Sequence, residues 1–73
     1  MDCENDILKR FGQKLRQLHK SEGFSQEAFA LECGLDRSYV GAIERGERNL
    51  SLRNIETMAV KLNLTISELF DGV

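Results

Sequence analysis

Apolar positions recur along this chain at intervals of three and four residues, and nowhere alternate as a half-buried strand requires. This rhythm predicts helices separated by short turns. The first runs from about Asn5 to Ser21 on a stripe of Leu8, Phe11, Leu15 and Leu18 and ends near Gly23, after which Phe24 enters the core. Ser25 is placed to cap a second helix whose inward stripe is Phe29, Ala30 and Cys33; Gly34 can take the left-handed conformation that ends it. Asp36 caps a third, with Val40 and Ile43 on its core face and Gly46 as its terminator. Ser51 opens a fourth, in which Leu52, Ile55, Ala59 and Leu62 make one face. Thr65 with Glu68 forms a capping box for a short fifth helix holding Leu69 and Phe70. The short connections and the absence of proline suit an all-α fold, a compact five-helix bundle.

Composition narrows the function classes. With 73 residues there is room for one domain, residues 1–73, and any regulated activity has to come from that unit or from a partner. A hydrophobic content of 41% with 30% charged residues describes an ordinary globular protein. No apolar run nears the ~20 residues that span a bilayer, and the opening MDCENDI is acidic, so the expectation is a cytoplasmic protein without a membrane partner. Cys3 and Cys33 are too far apart for a CxxC pair and leave no ligand set with the lone His19, so neither a metal nor another cofactor is expected. Cys33 reads as a small apolar core residue, and Cys3 as part of a mobile end. Paired carboxylates, a nucleophile with its base and a phosphate-cradling glycine loop are all missing, so the chain does not read as an enzyme, and no small-molecule effector is evident.

The stretch Gln26 to Glu44 carries the sharpest signal. Two short helices joined by one tight turn, with small Ala30 where they cross, have the geometry of a DNA-reading helix-turn-helix spanning about residues 25–46. A formal net charge of −2 opposes this, because duplex DNA repels an acidic protein overall. Distribution answers the objection: residues 1 to 24 hold five basic residues against four acidic, and Arg37, Arg45 and Arg48 lie on or just after the third helix. An acidic chain can still present a basic face.

Three blocks, LRQLHKSEGFSQEAFA, LDRSYVGAIERGERNLSL and LTISELF, make the chain resemble the lambda repressor and Cro-like helix-turn-helix proteins over almost its whole length. The second block looks most like the controller proteins of restriction-modification systems, stand-alone homodimers that bind palindromic operators. The resemblance implies double-stranded DNA as a partner and a role as activator or repressor of transcription. Carried over by residue, it implies that Gln26 binds a backbone phosphate, that Arg37, Ser38 and Tyr39 contact bases in the major groove, and that Arg45, Arg48 and Asn49 hold flanking phosphates. Side-chain chemistry agrees, since arginine presents two donors to guanine and a serine hydroxyl can serve either base type.

Plainer readings stand beside these. Arg37 can be a solvated surface arginine, Tyr39 can close the core edge, Gln26 can simply open a helix, and Arg45 and Arg48 can complement the negative end of theirs. A helical protein-interaction or antitoxin-like module with the same fold is the alternative function. Family members usually carry arginine where this chain has His19, facing the glutamate that is Glu44 here; a hydrogen bond between the two is expected, with a role as pH sensor the sharper alternative. The last 24 residues also hold more apolar side chains than a small core can use. Leu50, Ile55, Met58, Ile66 and Phe70 are therefore assigned to a two-fold homodimer interface, core and interface roles not being separable by apolar spacing alone.

Overall fold

The computed structural model describes residues 6–73. Cys3 and the expected helix start at Asn5 lie outside the described residues. Five helices follow one another: α1 (Ile7–Ser21), α2 (Gln26–Cys33), α3 (Arg37–Glu44), α4 (Leu52–Lys61) and α5 (Ile66–Leu69). Each begins at a side-chain cap. Asp6 accepts from the Leu8 amide, Ser25 from Ala28, Asp36 from Ser38, Ser51 from Asn54 and Thr65 from Glu68, so an amide left without a helical partner is satisfied each time. In α5 the Glu68 carboxylate also accepts from the Thr65 amide at 2.9 Å, completing the capping box.

Helix ends are as specific as the starts. Gly34 and Gly46 have φ of 69° and 76°, which lets the amides of Leu35 and Glu47 reach back to the carbonyls of Ala30 and Ala42. Asn63, with φ 59°, does the same work for α4, and the Leu64 amide closes onto Ala59. Asparagine tolerates this region better than other side-chain-bearing residues.

α1 packs on α2 and α3, α2 crosses α3 and touches α4, and α4 carries α5. Phe11, Leu15, Phe29, Ala30, Val40, Ile43, Met58, Ala59, Leu62 and Leu69 form the buried core. Phe11 also stacks on Phe70 at 4.9 Å between ring centroids, tying α1 to the end of the chain. Two assignments on α4 change. Leu52 is 78% exposed, whereas Met58 is wholly buried. The cap at Ser51 sets the phase of the helix so that Leu52, its first residue, points outward, and the inward stripe is Ile55, Met58, Ala59 and Leu62. Met58 is thus a core residue and leaves the proposed interface set.

Gly12 determines how close α1 can come to the third helix. A Cβ there would lie 2.5 Å from the Ile43 carbonyl oxygen and 2.6 Å from that of Glu44. Only glycine admits this approach, and it brings the α1 face bearing His19 directly against the end of α3.

Candidate nucleic-acid interface

The first turn of α3 is an exposed, pre-formed edge. The Asp36 carboxylate accepts from both the Ser38 amide and the Ser38 hydroxyl at 3.1 Å, fixing the serine beside the cap. Arg37 projects into solvent, 65% exposed, and its only polar neighbour among the described residues is Glu27 at 3.5 Å. At that distance and exposure the pair contributes little to stability, which leaves the guanidinium free to exchange partners. Tyr39 is different: its ring packs against the core, its hydroxyl accepts from Asn54 Nδ2 at 3.1 Å, and the Arg48 guanidinium carbon stands 5.2 Å from the ring centre. The half-buried tyrosine thereby supports Arg48 while closing the core edge.

A second cluster forms where α2 begins. Gln26 donates from Nε2 to Glu44 Oε1 at 3.1 Å, and Gly41 leaves the space into which Gln26 and Arg45 converge, since a Cβ there would lie 3.2 Å from an Arg45 nitrogen and 3.3 Å from Gln26 Oε1. With Arg16, Lys20 and Ser25 they line an open cleft of about 490 Å³. Three cations and the positive end of α2 therefore face one hollow, where an anion is favoured. Arg45 also donates to Glu47 at 3.2 Å on the exposed surface.

The cleft wall also contains Glu44, its one carboxylate, and the expected partner of that carboxylate, His19. His19 Nε2 sits 2.7 Å from Glu44 Oε2, with side-chain exposures of 2% and 6%, and neither atom has another hydrogen-bond partner among the described residues. The other ring nitrogen, Nδ1, lies 3.0 Å from the Phe24 carbonyl oxygen, to which it donates. Phe29 stacks on the imidazole at 5.6 Å. Gln26 as a third member of this group has no sequence signal beyond its place at the start of α2.

Asn49 sits apart from the cationic cleft. It is exposed and borders a shallow apolar groove of about 140 Å³, lined by Ile7, Leu8, Phe11, Leu50, Ile55 and Phe70. Cys33 packs against the core; burial pushes its thiol up to about 11, which keeps it protonated and unreactive. Among the described residues no cluster of histidine, cysteine and carboxylate side chains could hold a metal ion, and no helix is long and apolar enough to cross a membrane.

The arrangement of capped α2, glycine turn and exposed α3 matches a known family: the helix-turn-helix family model covers residues 14–69. The chain belongs to the helix-turn-helix family of DNA-binding transcription regulators. It is similar to control protein C.MunI of a Mycoplasma species, 49% identical over 70 residues that cover 94% of this chain and 95% of that protein. Its fold is similar to that of the restriction-modification controller protein C.AhdI from Aeromonas hydrophila, with a TM-score of 0.83 and 54% identity, covering 86% of this chain and 96% of the other. It also superposes on the biofilm regulator SinR solved in complex with DNA, with a TM-score of 0.78 and 31% identity over 84% of this chain and 98% of that one. In family terms, α2, the turn at Gly34 and α3 are the motif, and the family is one of transcription regulators rather than enzymes.

Proposed function

We propose that this helix-turn-helix protein is a sequence-specific regulator of the restriction-modification controller kind, which binds a palindromic operator as a homodimer. The observation that carries this reading is the convergence of Arg16, Lys20, Gln26 and Arg45 on one cleft beside the exposed first turn of α3. A duplex lying across that face puts a backbone phosphate in the cleft and the Arg37 and Ser38 side chains at base edges in the major groove. Arg48, held over Tyr39, and Asn49 take flanking phosphates, and the Tyr39 hydroxyl is left one further contact at the groove wall. The apolar groove at Leu50, Ile55 and Phe70, together with exposed Ile66, supplies the two-fold contact between copies. Its occupation would set two α3 helices about 34 Å apart, one turn of the duplex.

Selection of bound sequences from a random pool of duplex DNA tests this directly. The expected product is an inverted repeat with half-sites about 10 base pairs apart, centre to centre. Enrichment of no common sequence, with protein and DNA both intact, would overturn it.

A further inference from the structure

Both ring nitrogens of His19 face oxygen atoms. Because the Phe24 carbonyl can only accept, Nδ1 carries a hydrogen, and in a neutral imidazole Nε2 is then a lone pair pointing at a carboxylate oxygen 2.7 Å away. Two acceptors do not remain at that separation, so the buried pair holds one further proton, as imidazolium with carboxylate or as imidazole with carboxylic acid. The other Glu44 oxygen accepts from Gln26, which reaches into the cationic cleft.

We propose that His19 and Glu44 are positioning residues for Gln26: the proton they share fixes Glu44, Glu44 orients the Gln26 amide, and the second hydrogen of that amide meets a backbone phosphate. Loss of the proton weakens DNA binding. The proposal rests on the reading of Gln26 as a phosphate contact. Its sign follows from the charges present. Around His19 stand Arg16 and Lys20 from α1, Glu44 from the end of α3 and Arg45 just beyond it, while α2 contributes neutral Gln26 and the Phe29 ring. A phosphate entering the cleft adds negative charge beside the pair and favours its protonated form. By linkage the protonated form binds DNA more tightly, so affinity falls as pH rises.

His19 is the one histidine in the chain, the Cys33 thiol, at about 11, does not titrate near neutrality, and Cys3 is common to all the variants, so comparing them isolates the effect. The DNA-free protein gives the first readout. In NMR spectra taken from about pH 5.5 to about pH 8.5, the Gln26 side-chain amide should shift with the same midpoint as the His19 imidazole. A stationary amide beside a titrating imidazole, or an imidazole that does not titrate, overturns the relay.

Binding gives the second readout, with a mixed random-sequence 24-base-pair duplex as the probe so that no operator need be known. Wild type should lose roughly three- to tenfold in affinity over that range, the worth of one hydrogen bond, beyond any change shown by His19→Arg, whose guanidinium stays charged. Gln26→Ala should bind weakly with the same flat profile as His19→Arg, and it serves alone if the arginine variant does not fold. Parallel profiles for wild type and the folded variants overturn the proposal. A coupled amide in a wild-type protein that binds no duplex at all leaves the relay standing and removes the phosphate reading instead.

Discussion

His19 shows how far a single buried side chain can set the properties of this protein. Removing it as His19→Ala leaves Glu44, 6% exposed, without its 2.7 Å partner. Breaking a buried hydrogen-bonded pair of this kind costs about 3 kcal/mol, more than expected for a solvated pair. In a domain of this size the midpoint should fall by more than about 10 °C, which thermal melts followed by circular dichroism would register. His19→Arg should be neutral or stabilising, because a guanidinium can offer two donors to the carboxylate. A strongly destabilised arginine variant would show that the space between α1 and α3 is too small for the bridge. Gly12 governs that space, and Gly12→Ala should be more damaging than any surface change. The added methyl meets two backbone oxygens rather than a movable side chain, so about 2 to 3 kcal/mol should be lost even after the helix-propensity gain of alanine. Chemical denaturation would measure it, and an alanine variant of unchanged stability would refute the close-approach argument.

Elements were more legible in the sequence than the contacts between them. Ser25, Asp36, Ser51 and Thr65 announced four helix starts, and Gly34 and Gly46 announced two ends, because capping and left-handed turns depend on local chemistry. Asn63 gave no such warning, since asparagine ends helices less often than glycine. On α4 the spacing identifies Ile55, Ala59 and Leu62 as inward but not Leu52 as outward, for a hydrophobic residue at the first helical position fits the three-four spacing whether it points in or out. The candidate interface divides in the same way. His19 facing Glu44 could be anticipated from the departure at one family position, and the cationic residues from their clustering. Gln26 joining that pair, and Tyr39 bonding Asn54 while supporting Arg48, depend on separations of 18 and 15 residues along the chain, which only the fold brings together. Arg37 and Ser38 were expected at the opening of α3, and the structure places them there, exposed; their contact with bases is the proposal that remains to be measured.

At the scale of the whole molecule, the proposed function engages two surfaces. One is the cationic cleft and first turn of α3; the other is the apolar groove beside Leu50, Ile55 and Phe70, to which the proposal adds Ile66, 43% exposed. A small domain gains stability from covering such surface, and a two-fold pairing would also double the DNA contact. Ile66→Asp should therefore fold, since the residue is outside the core, yet sediment as a monomer at concentrations where the parent is a dimer. Analytical ultracentrifugation decides it, and a variant that sediments like a dimeric parent would exclude Ile66 from the interface. The reading of sequence by α3 is tested most directly by titrating Arg37→Ala and Arg48→Ala against the selected duplex and a scrambled one at several salt concentrations. Arg37→Ala should lose ~1 to 3 kcal/mol on the selected duplex and much less on the scrambled one, while Arg48→Ala should weaken both alike and lower the salt slope by about one per protomer. Equal losses on both duplexes for Arg37→Ala would contradict a base-reading role for the first turn of α3.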